Sequence, residues 1–249
     1  GGLGAGRRLP RRGLDLRALM LQHLHRNVVL HDRRVATQHD IPMEILQHQE
    51  PKIDAETGEP ATCAKHPDLE WCPPGHGDVY ASIWESGLLD TLQSKGFKYL
   101  FISNSDNLGA RPSRTLAQHF ENTGAPFMVE VAVRTEADRK GGHIVRDTHT
   151  GRLVLREMTQ VADEDKAAAQ DIVKHPYFNT NSIWIRIDAL KEKLEQYQGV
   201  LPLPVIRNYK TVDPTDDSSD KVVQLETAMG AAIVLFDGAI CVQVDRRRF

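Results

Sequence analysis

The chain has 249 residues, of which 40% are hydrophobic and 26% are charged, and its formal net charge is −3 at pH 7. This composition is typical of a globular protein with a core, and it argues against a broad nucleic-acid-binding surface, which needs clustered Lys and Arg. No run of about 18 apolar residues predicts a membrane span, and three cysteines are too few for a disulfide framework, so reduced thiols and a cytoplasmic location are expected.

The first part of the chain is rich in arginine and lacks lysine before Lys52. Four apolar residues there are spaced as on one face of a helix: Leu16, Leu21, Leu24 and Val28. This spacing predicts an Arg-rich surface helix. The chain also begins with Gly1 rather than Met and stops at Phe249 after three arginines, so we expect a fragment of a longer protein.

From residue 41 onward, strand-like and helix-like segments alternate, which predicts an α/β fold with a mixed sheet. Helices are expected over 79–95 (from Asp78 to Gly96), after Ser113, and over 163–174, 188–197 and 226–236. Strands are expected over 99–103, 126–134, 178–187, 222–225 and 239–244, and a hairpin joins 143–147 to 152–157. Residues 202–219 are expected to form a loop.

Several loops carry side chains suited to ligand binding. Asp106 lies between Asn104 and Asn107 directly after a predicted strand, where a hard divalent cation finds oxygen ligands, although an ordinary Asx turn has the same composition. His76 lies between two glycines before a predicted helix, and Asn179 and Asn181 are spaced to project from one strand face. A surface histidine and amides that close backbone hydrogen bonds are the alternatives, and no single loop decides the function.

Taken together and in order, these loops resemble the eukaryotic-type UTP–glucose-1-phosphate uridylyltransferases. The matching stretches are Gly1–Gly4, Gln47–Lys52, Trp71–Asp78, Ser103–Ala110, Lys140-Gly141-Gly142, Leu155-Arg156-Glu157, Phe178–Trp184 and Gln224–Ala232. They cover about 41–249 in collinear order. The resemblance implies an α/β, Rossmann-like nucleotidyltransferase domain with a mixed, mainly parallel central sheet. It also implies Mg²⁺-dependent formation of UDP-glucose and pyrophosphate from UTP and glucose 1-phosphate.

The resemblance also implies roles for individual residues. The nucleotide would contact Gly1, Gly2, Gln47, Gly75, His76 and Asn104. The glucose would be surrounded by Gly142, Glu157, Asn179 and Asn181. His76 and Asp106 would serve catalysis, and Asp106 would hold Mg²⁺. Because the attacking sugar phosphate is already largely dianionic near pH 7, with a second pKa of about 6, the reaction needs no strong general base. Alignment and charge neutralisation suffice, so the lack of a Ser-His-Asp signature does not argue against an enzyme.

The sequence departs from the family pattern at both ends. In the family, the Gly-rich loop leads to a phosphate-binding Lys, whereas here Gly4 is followed by Ala5-Gly6-Arg7-Arg8. Residues 6–40 do not align with the family, and translation in a wrong reading frame and simple divergence are the two explanations. A second family Lys and the C-terminal β-helical domain lie beyond Phe249. Residues 1–249 are thus expected to be an incomplete catalytic domain with little turnover.

The sequence leaves two other functions open. One is a pyrophosphorylase for another hexose 1-phosphate or for N-acetylglucosamine 1-phosphate, although Glu157, Asn179 and Asn181 favour glucose. The other is a non-catalytic UDP-sugar-binding protein, which the missing lysines favour and the intact Asp106 and His76 disfavour. No nucleic-acid or membrane partner is expected, and the sequence does not indicate an oligomeric state.

Overall fold

The computed structural model describes residues 18–24, 27–30, 38, 40–41, 44–64, 67–139 and 141–249. Its strands are β1 (Ala18–Leu24), β2 (Asn27–Leu30), β3 (Glu44–Leu46), β4 (Glu50–Pro51), β5 (Ile53–Asp54), β6 (Trp71–Cys72), β7 (Tyr99–Asn104), β8 (Phe127–Val133), β9 (His143–Arg146), β10 (Leu153–Arg156), β11 (Tyr177–Arg186), β12 (Val205–Thr211), β13 (Lys221–Thr227) and β14 (Ile240–Gln243). Its α-helices are α1 (Val79–Glu85), α2 (Leu88–Ser94), α3 (Arg114–Thr123), α4 (Lys166–Ala169) and α5 (Ile187–Gln196). None of these described helices has the length and hydropathy needed to cross a bilayer.

The central sheet is mixed, as the sequence predicts, but it is not mainly parallel. Strand β11 pairs with β8 along one edge and with β7 along the other, and the β9–β10 hairpin continues beside its first residues. Of the eight strand pairings in this sheet among the described residues, only β1 with β7 and β14 with β8 are parallel. The expectation of a mainly parallel sheet was wrong because β11 runs antiparallel to all three of its neighbours.

The core lies on both faces of the central sheet. Alternate residues of β7 divide between two clusters: Leu100 and Ile102 pack with α1, α2 and α5, and Tyr99 and Phe101 pack with α3. Each of these four side chains is at most 1% exposed. A strand covered on both faces reads as one apolar run rather than an alternation, and this is why the prediction for residues 99–103 was correct.

The predicted helix over 79–95 is instead two helices. Gly87 has a φ of +68°, a left-handed conformation that ends the α1 segment and redirects the chain into α2. Asp78 does not cap α1, since its carboxylate is bonded to His48 and to the Ser82 hydroxyl. Gly96 does end α2, with a φ of +79° and with the Phe97 amide donating to the Leu92 carbonyl.

Four other predictions of local structure were wrong in whole or in part. Residues 18–24 and 27–30, which include three of the four apolar positions of the expected helix, form β1 and β2 instead, with β1 paired to β7 and β2 paired to β1; Leu16 and the arginines of this part of the chain lie outside the described residues. Only α4 is α-helical within 163–174, since the Asp171 side chain accepts from the amides of Val173 and Lys174 and so closes a turn. Residues 202–219 contain β12, which pairs with β13. The helix predicted over 226–236 is present only over Met229–Leu235, where it is a 3-10 helix.

The remaining predicted elements are confirmed. Strands β7, β8, β11, β13 and β14 and the β9–β10 hairpin lie within a residue or two of their expected bounds. Helix α3 begins after Ser113, whose hydroxyl accepts from the Leu116 amide at 3.5 Å. Helix α5 begins one residue before its expected start. Each of these segments has a clear hydrophobic pattern or a residue that marks its end, and these are the features that a sequence shows best.

Candidate active site

Gln47 reaches from the loop after β3 to the Gly-rich loop before α1. Its side chain is 6% exposed, and Nε2 donates to the Gly75 carbonyl at 2.7 Å. The next residue reinforces the contact, since the His48 amide donates to Asp78 Oδ2 at 3.0 Å. Two segments some thirty positions apart are thereby joined by hydrogen bonds from two consecutive residues.

Gly75 occupies a position that a side chain cannot share. Its φ is +83°, and a Cβ at this residue would lie 2.6 Å from the Thr227 carbonyl oxygen and 2.7 Å from the Thr227 amide nitrogen. The Thr227 amide itself donates to the Pro74 carbonyl at 2.8 Å. Because the crowding atoms are backbone, they cannot move aside as a flexible side chain would. The end of β13 is therefore fixed against the Gly-rich loop.

His76 has its tautomer set by the backbone. Its Nδ1 accepts from the Met229 amide at 3.0 Å, so the proton of the neutral ring is on Nε2. Tyr80, from α1, donates its hydroxyl to the Met229 carbonyl at 2.7 Å, and burial raises the pKa of that phenol well above its usual value. Both polar backbone groups of Met229 thus hold the His76 loop and α1 in place.

Asn179 and Asn181 meet at a bulge in β11. The register with β8 shifts between Asn179 and Ser182, and Asn181 has a φ of +53°. The two side chains do not simply project from one face, as the spacing predicts. They are bonded to each other, since Asn179 Nδ2 donates to Asn181 Oδ1 at 2.8 Å. A Cβ on Gly230 would lie 3.1 Å from Asn179 Nδ2, which places the Met229–Leu235 helix against this amide pair.

Gly142 and Glu157 lie side by side at the hairpin. A Cβ on Gly142 would come within 2.5 Å of Glu157 Oε1, and the Gly142 carbonyl accepts from the Asn179 amide at 3.0 Å. Burial raises the pKa of the Glu157 carboxyl above its ordinary value. The four residues implied to surround a sugar are therefore linked in one local group.

The end of β7 and the loop that follows it supply oxygen atoms that have no hydrogen-bond partner in the described part of the chain. Ser103 Oγ, Asn104 Oδ1 and Asn107 Oδ1 are buried and have no hydrogen-bond partner among the described residues. Asp106, in the same loop, is exposed. No group of three or more His, Cys, Asp or Glu side chains in the described ranges is arranged to hold a metal ion. One carboxylate with amide oxygens nearby suits Mg²⁺, which commonly takes one or two carboxylates and fills its remaining positions with water and substrate phosphates.

The direction of β11 explains why these groups share one edge of the sheet. Ligands of open α/β sheets usually lie at the carboxyl ends of strands. Since β11 is antiparallel to β7, with Ile183 opposite Ile102, the beginning of β11 lies beside the end of β7. The Asn107 amide closes the junction by donating to the Thr180 carbonyl at 3.1 Å.

The contacts form one path from the loop after β3 to the amide pair. It runs through Gln47, Gly75, His76, Met229, Gly230, Asn179 and Asn181. Gly142 and Glu157 join it at Asn179, and the loop of Asn104 and Asp106 joins it at Thr180. Gly1 and Gly2 lie outside the described residues. The sequence did not indicate Thr227 or Met229. Both residues contact the site through their backbone atoms, and backbone contacts do not depend on the type of side chain.

A mixed α/β sheet whose strand-end loops converge in this way is the architecture of a ligand-binding α/β protein. The family itself is identified by comparison. The chain belongs to the UTP–glucose-1-phosphate uridylyltransferase family, whose model matches residues 25–249. The match begins earlier than the motifs at 41 suggest.

Relatives named UTP–glucose-1-phosphate uridylyltransferase include those of Musa acuminata, at 41% identity over 82% of this chain and 42% of the relative, and Solanum tuberosum, at 40% identity over 82% and 41%. Among solved structures, UDP-glucose phosphorylase from Trypanosoma brucei is similar with a TM-score of 0.80 and 47% identity, over 87% of this chain and 46% of that chain. A mutant of UDP-glucose pyrophosphorylase from Leishmania major, solved in complex with UDP-glucose, gives 0.77 and 44%, over 87% and 48%. The chain spans less than half the length of these relatives.

Proposed function

We propose that this chain carries the nucleotide- and sugar-binding part of a uridylyltransferase that forms UDP-glucose and pyrophosphate from UTP and glucose 1-phosphate. The observation that carries the proposal is the contact path that joins Gln47, His76 and Asn181 along one edge of the sheet. Family membership supports it, and so does the solved relative whose name includes UDP-glucose. On this proposal the fold is of the Rossmann-like nucleotidyltransferase type.

The chemistry is an in-line displacement at the α-phosphorus of UTP. A phosphate oxygen of glucose 1-phosphate forms the new P–O bond, and the bond to pyrophosphate breaks. With the sugar phosphate largely dianionic, no protein base has to remove a proton. His76, held with its proton on Nε2, donates a hydrogen bond to a phosphate oxygen in this proposal.

Magnesium would lie at Asp106, with the Asn104 amide oxygen beside it. When bound, the ion neutralises phosphate charge and helps to orient the triphosphate. The part played by the chain is to hold Asp106 and Asn104 on a loop that is tied to β11 through Asn107.

Recognition of the two ends of UDP-glucose falls to different elements. In this proposal Gln47, whose Nε2 donates to the Gly75 carbonyl, reads the uracil edge. Glu157, Asn179 and Asn181 offer a carboxylate and two amides, which are the groups that bind sugar hydroxyls. Burial raises the pKa of the Glu157 carboxyl above its ordinary value.

Calorimetry with UDP-glucose tests the proposal on the chain as it stands. We expect UDP-glucose to bind more tightly than ADP-glucose or UDP-N-acetylglucosamine, and Gln47→Ala to weaken binding about ten-fold, or about 1.4 kcal/mol. Gln49→Ala, a change at an exposed neighbouring residue, serves as the control. Equal affinity for ADP-glucose would overturn the uridine assignment. Binding without pyrophosphate release in the full-length protein would instead favour a non-catalytic UDP-sugar-binding protein.

A further inference from the structure

Arg248 forms an ion pair with a carboxylate that water cannot reach. The Glu130 side chain is 1% exposed, and Arg248 donates from Nε and Nη2 to its two oxygens, each at 3.1 Å. The Trp184 indole donates to the same carboxylate at 2.9 Å. A buried carboxylate needs this compensation, because desolvation alone would favour its protonated form.

Glu130 lies on β8, beside the bulge of β11 that carries the amide pair. It pairs with Ser182, the first residue of β11 after the register shift. Its carbonyl accepts from the Thr180 hydroxyl at 2.7 Å. The residue that receives the guanidinium of Arg248 therefore also supports the bulge between Asn179 and Ser182 through its backbone.

Arg248 is bound to the loop after β7 as well. Its Nη2 donates to the Arg111 carbonyl at 2.8 Å. A Cβ on Gly109 would collide with the Arg248 carbonyl group, so the two backbones are in direct contact. The loop that holds Asn104 and Asp106 is thus in contact with Arg248 at its far end and with Thr180 through Asn107.

We propose that Arg248 is a positioning residue that fixes the spacing between the Asn104–Gly109 loop and the Asn179–Asn181 amide pair. The inference rests on the proposed function, in which the loop serves the metal and phosphates and the amides serve the sugar. One planar guanidinium holds both sides, since it binds the Glu130 carboxylate with two donors and the Arg111 carbonyl with the same Nη2. Lysine carries the charge but lacks the fork, so it cannot hold both anchors in one geometry.

The variants separate positioning from simple stability. Arg248→Met leaves Glu130 as a buried, unpaired charge and is expected to lower the melting temperature. The double change Glu130→Gln with Arg248→Met removes that charge, and glutamine still accepts from Trp184. Arg248→Lys retains the charge. Arg247→Met is the control, because Arg247 pairs with Asp245 on the surface and its side chain is 90% exposed.

Amide hydrogen exchange in the loop after β7 is the first readout, and it requires no turnover. The amides of Asn107 and Leu108 are bonded within the loop, so their exchange reports its order. We expect Arg248→Lys and the double variant to melt near the unmodified protein yet to exchange these amides at least ten-fold faster. Arg247→Met should leave exchange unchanged. Slow exchange in a stable double variant, or in Arg248→Lys, would overturn the proposal.

Kinetics of the full-length protein give the second readout. A shift in spacing should lower kcat for UDP-glucose formation at least ten-fold in Arg248→Lys while the KM for UTP changes little. If kcat and the KM for UTP changed by equal factors, Arg248 would have a structural role only, and the proposal would be overturned. Should the full-length protein release no pyrophosphate at all, the proposed function fails, whereas the exchange result on loop order still stands on its own.

Discussion

Burial keeps the His143 ring neutral. The side chain is 0% exposed, and desolvation lowers its pKa to about 4, with the nearby Arg134 and His175 adding to the effect. A histidine with a lowered pKa stabilises the fold above its unfolded value of about 6.5 and loses that contribution as pH falls toward 4. The amount at stake is on the order of 3 kcal/mol.

Replacement of His143 is therefore expected to flatten the acid side of the stability profile. We expect the free energy of unfolding of the unmodified chain to fall between about pH 6.5 and pH 4, and that of His143→Phe to fall less over the same range. Chemical denaturation at several pH values measures it. His119→Phe, at an exposed histidine, is the control. Parallel profiles for the unmodified chain and His143→Phe would contradict the assignment.

Gly142 offers a prediction that separates ligand binding from stability. An added methyl would meet Glu157 Oε1 at 2.5 Å, but that atom ends a flexible side chain and can move aside. Gly142→Ala should therefore change the melting temperature little and weaken UDP-glucose binding about ten-fold, because it displaces Glu157. Gly75→Ala is the contrasting variant, since backbone atoms of Thr227 crowd it and the fold itself should suffer. An unchanged affinity in Gly142→Ala would exclude Glu157 from the sugar site.

At the scale of elements, His48 joins the loop after β3 to α1. Its Nδ1 lies 2.7 Å from Asp78 Oδ1 and its Nε2 lies 2.9 Å from Glu85 Oε2. Both ring nitrogens must carry protons to satisfy both carboxylates. The hydrogen bond to Glu85 is the largest cause that raises the pKa of His48, Asp78 adds to it, and burial opposes it. Glu50 also faces this group, and its own pKa is raised by burial.

The sign of the pH effect follows from the raised pKa. The ion pairs of His48 stabilise the fold fully below the unfolded value of about 6.5 and are lost as pH rises through the folded pKa. We expect the melting temperature to fall between about pH 6 and pH 8 in the unmodified chain and to fall less in His48→Asn. In Glu85→Gln, the imidazole signals in an NMR titration should move at lower pH. A His48 pKa below that of an exposed histidine would contradict this account.

Elements differ in how well the sequence predicts them. Strand β7 could be predicted because both of its faces are buried, and the start of α3 could be predicted because Ser113 caps it. Strand β12 was missed because its side chains are exposed or only half buried, and because its pairing with β13 crosses a segment that reads as a loop. The composition of Met229–Leu235 predicts a helix but not its type. The segment packs closely against β10 and Asn179, and it is a 3-10 helix.

The candidate site shows the same division. Gln47, His76 and Asn179 could be selected from the order of motifs, and the structure links them by contacts. The bulge at Asn181 could not be predicted, because the spacing of two residues indicates a regular strand. The ion pair between Glu130 and Arg248 was missed, because these residues are far apart in the sequence and no local pattern relates them. Binding roles for these residues stay predictions.

On the scale of the whole molecule, we expect amide hydrogens in the central sheet to be the best protected from exchange with solvent. The amides of β7 and β11 lie where buried strands flank each other, so they should exchange only when the fold opens globally. The segment 170–175 and the loop 213–219 are held by local turns. Their amides should exchange at least about a thousand-fold faster than those of β7 and β11. Mass-spectrometric exchange on the chain tests this order. Equal protection throughout would contradict the layered core.

The contact between Gly75 and Thr227 also bears on how this protein can evolve. Backbone atoms surround Gly75, so a lineage cannot accept a larger residue there by adjusting a neighbouring side chain. Gly58, Gly124 and Gly151 face open space instead, and drift at those positions meets only the modest resistance of their backbone angles. A diverging copy of this gene would keep glycine at position 75 long after the glycines of its surface turns had been replaced. Replacement of Gly75 would mark a copy in which selection no longer maintains the site.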